Sequence, residues 1–393
     1  MGLISKINTF LWSCPLLFVL MGTHLYFTMK LRFPQIHIIK AVKLSVTPEK
    51  QSASGKNTPV SPFAALATTL AATLGTGNII GVSTAVALGG PGAVFWCWLT
   101  GVLGMATSYA ECYLGSLFKE KNREKVFVGG PMYVLKNGLG KKGLARFYAL
   151  CTLVAAFGVG CTTQANSLTQ TTSLTWGISP HIVGIAAAVV SGMVLLGGIR
   201  SISKVCMKLI PALGFLYIAG CVILLYLNRS VLVPGLCMIV RCAFDPSAMF
   251  GGAAGYSLTA AARYGIARGL YTNEAGIGTA AIAAASSDTK DPSRQAFVSM
   301  TAVFWDTVVI CLLTGLVIVT NMMVHPESVQ GVNETGLAAA AFRYLPVGGN
   351  TFLSLALVAF AITTLIGWSY FGERAVEYLF GMRFISFYKL CYI

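Results

Sequence analysis

Charged residues are scarce in this sequence. Asp, Glu, Lys and Arg together make up 10% of the 393 residues, whereas soluble domains contain about 25%. The hydrophobic fraction is 55%, and the mean hydropathy is +0.73. A chain of this composition is expected to be an integral membrane protein rather than a soluble domain.

Metal, redox and nucleotide motifs are also missing. The cysteines are scattered without a CxxC pair, no His/Cys cluster has zinc spacing, and no GxxxxGK[ST] loop is present. The four histidines are His24, His37, His181 and His325. They lie far apart, and no Ser-His-Asp constellation can be recognised. We therefore expect no enzyme activity and no cofactor, and an ion gradient rather than ATP as the energy source.

The net charge of +15 could suggest a nucleic-acid partner, but the basic residues are unevenly placed. Most of the 28 Lys and Arg residues lie in loops that alternate to one side of a membrane: 29–61, 118–146, 199–208, 286–295 and 372–393. By the positive-inside rule these loops are cytoplasmic, which places the N-terminus outside. The basic excess therefore indicates orientation in the bilayer, and no nucleic-acid partner is expected.

Apolar runs of about twenty residues predict membrane helices in one polytopic all-α domain spanning residues 1–393. The runs are 8–28, 62–86, 91–117, 147–173, 182–199, 209–227, 251–285, 296–323 and 350–371. The first run resembles a signal peptide. However, Lys30 and Arg32 follow it, and no small-x-small cleavage site is evident, so an uncleaved helix is the better interpretation.

The second run is interrupted at 73–78 by small and polar residues. Gly75 and Gly77 weaken the helix at a depth where hydrocarbon demands an intact hydrogen-bond ladder. Irregular backbone is tolerated there only against protein or a water-lined cavity. Its peptide groups could then contact a small solute or ion, with Thr76 and Asn78 adding side-chain ligands. The alternative is a close glycine contact between packed helices, but the break favours a transporter.

A second interruption has a related sequence. The segment 78–85 aligns with 273–280, and Asn, Gly, Thr and Ala match at the same spacing. The two runs are predicted to cross the membrane in opposite directions, as an inverted repeat requires. We therefore divide the chain into a first five-helix repeat, 62–228, and an incomplete second repeat, 251–393.

These segments and several further blocks resemble the alanine/glycine:cation symporter family. The blocks are 72–81, 89–96, 109–112, 128–133, 263–269, 273–276 and 367–374. The resemblance implies the five-plus-five inverted-repeat (LeuT/APC-like) transporter fold, with 8–28 as an extra N-terminal helix before the core. It also implies sodium-coupled symport of a small neutral amino acid, alanine or glycine, by alternating access across the inner (cytoplasmic) membrane of the cell.

The chain departs from the family pattern in two respects. Cys97 and Cys161 stand where the family is expected to have Met and Asn. In addition, the sequence ends at Ile393, where the ninth core helix should begin, so the last two core helices are expected to be missing. The alternative function is therefore a transport-incompetent remnant or half-subunit that needs a separate C-terminal fragment. A channel is disfavoured because no ring-like selectivity motif repeats along the chain.

The resemblance implies a substrate site at the first break. In broken-helix symporters the substrate carboxylate meets peptide N–H groups at the start of a half-helix, where the helix dipole is favourable. The expected substrate-binding residues are Gly75, Thr76, Gly77, Asn78, Gln164 and Trp368. Gln164 is chosen from a polar stretch of the third core helix. Trp368 could line the pocket, or it could be a membrane-interface tryptophan instead.

The resemblance also implies a sodium site beside this break. The hydroxyls of Thr363 and Thr364 would complete it, together with backbone carbonyls near Thr73 and Leu74. Oxygen ligands of this kind suit a hard cation. Threonines in membrane helices often bond back to their own backbone carbonyls, which is the competing structural interpretation.

Three acidic residues fall within apolar runs, where an unpaired charge costs about 2.5–3.5 kcal/mol on insertion scales. Glu111 lies near a cytoplasmic helix end, and a structural role with its carboxylate reaching the interface is expected. Glu274 lies in the second break and Asp306 in the middle of a helix. Both are candidate coupling residues, for which a structural role remains the open alternative.

Overall fold

The computed structural model describes residues 2–13, 15–47, 60–245, 258–346 and 348–393. Regular structure in these ranges is helical apart from one small hairpin. Glu120–Lys121 pairs there in antiparallel register with Phe127–Val128. The prediction of an all-α polytopic protein is confirmed.

The longer helices follow the apolar runs of the sequence, and several short helices lie between these runs. The first half contains α1 (Gly2–Ser13), α2 (Pro15–Lys30), α3 (Ile38–Val46), α4 (Pro62–Thr73), α5 (Ile80–Gly89), α6 (Gly92–Leu117), α7 (Lys142–Trp176), α8 (Pro180–Leu196) and α9 (Gly198–Leu227). Then come α10 (Leu232–Phe244), α11 (Leu258–Asn273), α12 (Thr279–Ala285), α13 (Pro292–Val324), α14 (Leu337–Phe342), α15 (Gly349–Phe380) and α16 (Ile385–Tyr392).

Five described helices are long and apolar enough to cross a membrane: α6, α7, α9, α13 and α15. A sixth span results if α4 and the segment Thr76–Gly89 are taken together as one bent helix. The remaining predicted runs, 8–28 and 182–199, correspond to the shorter helices α2 and α8. Part of the seventh run, 251–257, lies outside the described residues. The long described helices thus coincide with apolar runs, whereas the short helices α3, α10, α14 and α16 lie outside them.

Helix also forms in segments predicted to be cytoplasmic loops, such as α3 within 29–61 and α16 within 372–393, and 199–208 is helical throughout. The sequence predicts that residues 199–208 connect two spans, but they form the first turns of α9. Arg200, Lys204 and Lys208 recur every four residues and share an exposed face, while Ile202 and Cys206 are buried. The basic residues make this amphipathic segment look like a loop, because a hydrophobicity scan averages its two faces.

The long helix α15 occupies the centre of the bundle. Its buried side chains extend from Leu353 to Val376, and it packs against α4, α7 and α9. Gly367 allows the closest of these approaches, since a Cβ at this position would lie 2.6 Å from the backbone nitrogen of Ala72. Backbone contact between α15 and α4 therefore fixes the region where α4 ends.

The first membrane helix lies on the outside of this bundle. α2 packs against α6 and α11, and it exposes apolar side chains such as Phe18 and Tyr26 on its other face. His24 and Thr28 are buried on the packed face. The packed face of α2 therefore places an imidazole against the bundle, and its assignment as an extra helix before the core stays a prediction.

Candidate substrate and ion site

The first break lies where the sequence predicts it. α4 begins at a Ser61 cap, whose Oγ accepts the Ala64 N–H at 3.1 Å, and it ends at Thr73. Leu74 and Gly75 leave the helical conformation, and a single 3-10 turn, Thr76–Asn78, precedes α5. The two helical segments meet at a bend of 60°. Peptide groups are thereby freed from the helix ladder near the middle of the bundle.

Gly75 is needed because α15 comes very close to the break. A Cβ at this position would lie 2.8 Å from Oγ1 of Thr364. A side chain at position 75 would therefore displace either the unwound segment or α15. The glycine is a close-contact position, and it is also part of a real interruption, so both interpretations of the sequence pattern apply at once.

Asn78 holds the unwound segment in place. Its Oδ1 accepts the Gly75 N–H at 3.0 Å, while its Nδ2 donates to Asp306 Oδ1 at 2.7 Å and to the Asp306 carbonyl at 3.2 Å. Both ends of the amide are therefore engaged within the protein. Asn78 thus fixes the shape of the break through Gly75 and Asp306, and the substrate contact of Asn78 and Gly75 stays a prediction.

Thr76 and Gln164 meet across the bundle, as the predicted site requires. Thr76 Oγ1 donates to Gln164 Oε1 at 3.1 Å, and Gln164 Nε2 donates to the Val159 carbonyl at 3.3 Å. Val159 belongs to a π-helical stretch of α7, Ala156–Thr162. In the described part of the chain, the peptide N–H groups of Thr76 and Gly77 form no hydrogen bond. These two donors remain available to an anionic group.

Trp368 is a core residue of α15 and is only 4% exposed. This burial excludes the membrane-interface alternative. Gly160 makes room for the side chain, since a Cβ there would overlap Trp368. The indole N–H faces the carboxylate of Glu274 in the second break. Trp368 thus contacts α7 on one side and the second broken helix on the other.

Two of the predicted sodium ligands, Thr364 and Leu74, are in contact. Thr364 Oγ1 donates to the Leu74 carbonyl at 3.3 Å, so two of the expected oxygens already meet. The Thr73 hydroxyl is buried without a hydrogen-bond partner. Thr363 Oγ1 bonds back to the Phe360 carbonyl at 3.0 Å, which is the structural alternative for that residue. An unsatisfied buried hydroxyl beside a carbonyl and a second hydroxyl suits a hard monovalent cation.

Asp306 lies at the back of the first break and is fully buried. It belongs to a π-helical stretch of α13, Phe304–Cys311. Besides Asn78, its carboxylate accepts the Thr307 hydroxyl at 2.6 Å. Among the described residues no Lys or Arg is within ion-pair distance of it. Its hydrogen bonds come from neutral donors, and the Asn78 amide connects it directly to the unwound segment.

The second break, between α11 and α12, is strained and acidic. Glu274 has a φ of 54°, and Gly276 and Gly278 also have positive φ values. For a residue with a Cβ this conformation costs about 1–2 kcal/mol. The Glu274 carboxylate accepts the Thr279 hydroxyl. Glu111 of α6 faces the Gly276 N–H here. The sequence predicts that its carboxylate reaches the membrane interface, but in the structure the carboxylate is buried against the second break.

A charged cluster at the end of α15 is not evident from the sequence. Arg374 pairs with Glu373 and with Glu377, and Lys389 lies 3.2 Å from Glu373. Glu373, Arg374 and Lys389 border a cavity of about 490 Å³ that is also lined by Asn122 and Arg200. All of these residues lie in segments that the sequence predicts to be cytoplasmic: 118–146, 199–208 and 372–393. Sequence spacing could identify the Arg374–Glu377 pair as helix neighbours, but not the contact with Lys389.

The profile of one protein family, described as the sodium:alanine symporter family, matches residues 1–393, the whole of the chain. This chain belongs to the sodium:alanine symporter family. The resemblance found in the sequence blocks is therefore confirmed. As a family member the protein is a multi-pass membrane transporter, and sodium-coupled amino acid symport is the activity of the family.

Two relatives match across the full chain. The sodium/alanine symporter AgcS of Methanococcus maripaludis is 39% identical over 397 residues, which cover 100% of this chain and 86% of the relative. An uncharacterized transporter of Haemophilus influenzae is 40% identical over 393 residues, covering 100% of this chain and 85% of the relative. The similarity therefore includes both breaks and α15.

Solved structures support the fold. A Na⁺-coupled sialic acid symporter, in a substrate-bound outward-open state, has a TM-score of 0.59 at 11% identity, covering 95% of this chain and 79% of that chain. A manganese transporter of Eremococcus coleocola has a TM-score of 0.51 at 14% identity, covering 88% of this chain and 70% of that chain. The predicted transporter fold is confirmed, and these two proteins show no more than the fold.

Proposed function

We propose that this protein imports alanine or glycine together with sodium across the cytoplasmic membrane, with its N-terminus outside. The observation that supports this most directly is the first break. There the Thr76–Gln164 pair and the Thr364–Leu74 pair lie at the two ends of one short unwound segment. The similarity to a sodium/alanine symporter of M. maripaludis supports the same substrate and ion.

The amino acid would bind at the start of α5. Its carboxylate would accept the free N–H groups of Thr76 and Gly77, where the dipole of the following helix is favourable. Gln164 would contact the polar groups of the substrate and Trp368 would form an apolar wall. Because Gly75 and Gly77 face neighbouring side chains at close range, the space favours a small substrate.

Sodium would bind where α4 ends. The Leu74 carbonyl, the buried Thr73 hydroxyl and Thr364 would be its main ligands, and Thr363 would join them after releasing its own backbone bond. One sodium entering across ~100 mV supplies about 2.3 kcal/mol. A tenfold sodium gradient adds about 1.4 kcal/mol, and the sum supports roughly 500-fold accumulation of substrate.

Coupling follows from the shortness of the unwound segment. The proposed sodium ligand Leu74 and the substrate donor Thr76 are separated by one residue, Gly75, whose N–H is bonded to Asn78. Sodium would therefore order the backbone that receives the amino acid. Asp306, which anchors Asn78, would transmit this order to α13. Glu274 is the corresponding candidate coupling residue at the second break.

The decisive experiment is uptake of labelled alanine by proteoliposomes that contain the 393-residue chain. We expect accumulation with an inward sodium gradient, and none when choline replaces sodium. A folded chain that accumulates no alanine under either condition would contradict the proposal. Co-reconstitution with a C-terminal fragment of a relative would then test the alternative, a subunit that depends on a separate polypeptide.

A further inference from the structure

Arg268 of α11 lies one helical turn from the first break. Its carbonyl accepts the Thr272 hydroxyl at 3.0 Å, so the two residues are one turn apart on α11. The Thr272 methyl lies 3.1 Å from the point where a Cβ on Gly77 would be. Arg268 packs on Gly81 in the same way, with its Cδ at 3.6 Å and its Nη1 at 3.8 Å from the corresponding point. Because α11 and α5 lie side by side in this register, the guanidinium is next to α5 and close to the unwound segment.

No partner neutralises this guanidinium within the described residues. Arg268 is half-buried, and no Asp or Glu of the described chain lies within ion-pair distance of it. Arg374 differs, since it is buried between Glu373 and Glu377. None of the Arg268 nitrogens is among the fully occluded polar atoms of the described chain. The unpaired charge of Arg268 therefore faces space that solvent can enter.

A charge in this position indicates a route for a solute. Arginine is unfavourable within a membrane helix, and where it occurs it usually faces a water-filled cavity and marks a substrate or ion path. α11 precedes the second break, so in the proposed orientation it belongs to the extracellular half of its span. Arg268 would then lie on the outer side of the first break, where an entering solute passes.

The chemistry of the side chain selects an anionic group. A guanidinium binds a carboxylate through two parallel hydrogen bonds, and it repels sodium. The free N–H groups of Thr76 and Gly77, which are the proposed final partners of the substrate carboxylate, lie about one helical turn away, or about 5.4 Å along the axis. A carboxylate that enters from outside would therefore meet Arg268 first.

We propose that Arg268 is an outer carboxylate-binding residue, which pairs transiently with an incoming amino acid and delivers it to the first break. The inference rests on the proposed function and adds an entry site that is separate from the substrate and sodium ligands. No covalent bond forms or breaks in this step. A fixed positive charge in a narrow path raises the association rate of an anionic group, and salt weakens this effect. Arg268 thus acts on the rate at which the amino acid binds.

The proposal can be tested by stopped-flow tryptophan fluorescence of the purified protein mixed with alanine in sodium. Arg268→Gln should lower the association rate roughly tenfold and remove most of its dependence on ionic strength, which is varied with choline chloride. Arg268→Met, which is also neutral and fills similar space, should behave alike. Arg268→Lys keeps the charge and should retain the salt dependence.

Arg263→Gln is the matched control. It makes the same change of charge on the same helix, but this guanidinium already lies over the Tyr264 ring, 5.6 Å from its centroid. Its association rate and salt dependence should stay near wild type. If the neutral variants at 268 and at 263 give the same rates and the same salt dependence, Arg268 does not bind the entering carboxylate.

Sodium-driven uptake separates this proposal from the symport proposal. Arg268→Gln should raise the alanine concentration for half-maximal uptake roughly tenfold, while the maximal rate changes little, because delivery is slower but the later steps use other groups. A lower maximal rate with unchanged half-saturation would overturn the entry role. Wild-type protein that binds alanine without accumulating it would contradict the symport proposal alone, and the association rates would still decide the role of Arg268.

Discussion

The two broken helices have matched asparagines with different surroundings. Asn78 and Asn273 occupy equivalent positions in the aligned segments, each followed by Gly and Thr at the same spacing. Asn78 uses both ends of its amide, to Gly75 and to Asp306. Asn273 uses only Oδ1, which accepts the Ala275 N–H at 3.0 Å, and its Nδ2 is unpaired.

The two breaks also differ in backbone strain, and again the second break is the less well satisfied around its acidic residues. At the first break the donors around Asp306 are satisfied, and no residue from Leu74 to Asn78 has a positive φ. At the second break Glu274 is strained, and its carboxylate and that of Glu111 lack a cation among the residues that the structure describes. A repeated sequence therefore produced one break held by the Asn78 amide and one that retains backbone strain and carboxylates without a cation partner among the described residues. The first suits a defined binding site, and the second suits a moving part.

The largest effect is expected where the first break depends on backbone packing. Gly367→Val would place side-chain atoms against the backbone of Ala71 and Ala72, neither of which can move without shifting α4. Overpacking of this kind costs about 1–3 kcal/mol or more. We expect a lower thermal unfolding midpoint in detergent and loss of sodium-dependent uptake.

Gly184→Val is the matched control for that exchange. A Cβ at Gly184 meets no atom within 4 Å, and the residue lies on the outer face of α8. Its unfolding midpoint and uptake should remain close to wild type. If both glycine variants behave alike, close contact between α15 and α4 is not what holds the first break.

The next largest effect tests the Asn78 amide. Asn78→Ala leaves the Gly75 N–H and one acceptor site of Asp306 unpaired, and a buried unsatisfied group costs about 1–3 kcal/mol. Alanine uptake should fall roughly tenfold to a hundredfold. The reciprocal exchange Asn78→Asp with Asp306→Asn keeps one amide and one carboxylate in contact. It should recover activity relative to either single variant, and a double variant no better than the singles would argue against a direct link.

The sequence is sufficient to locate both breaks, because glycine and polar residues weaken an otherwise continuous apolar helix at membrane depth. It also identifies Thr76 and Gln164, and Thr364 and Leu74, which the structure brings within hydrogen-bond distance. Thr364 and Leu74 come from the family resemblance, whereas Thr76 comes from the break itself and Gln164 from a polar stretch of its helix. Local pattern alone could not have joined residues so far apart along the chain.

The contacts that sequence reasoning misses are long-range and depend on helix rotation. The sequence predicts that Asn78 faces substrate, but its contact with Asp306 requires knowing which side of α13 faces the break. His24 is an isolated histidine in the sequence, since nothing there places α2 against Gly276. Glu111 is predicted near the interface because its depth is counted from a helix end, whereas its direction is set by packing against α12.

A moderate effect is expected at the proposed sodium ligands. Thr364→Ala removes the hydroxyl beside the Leu74 carbonyl, and we expect a roughly tenfold higher sodium concentration for half-maximal uptake, equivalent to about 1.4 kcal/mol. Thr364→Ser should remain near wild type. Thr363→Ala should have a smaller effect, because that hydroxyl already bonds to Phe360. An unchanged sodium dependence in Thr364→Ala would remove this residue from the site.

The smallest effect is expected at the second asparagine. Asn273→Ala removes one hydrogen bond to the Ala275 N–H, which contributes about 1 kcal/mol, but it also removes the unpaired Nδ2, whose burial is unfavourable. These terms oppose each other, so the unfolding midpoint should change less than in Asn78→Ala. Comparing the two alanine variants in one thermal-unfolding assay tests the difference between the breaks directly. Equal destabilisation would mean that Asn273 has a partner as strong as Asp306, and that the second break is held as firmly as the first.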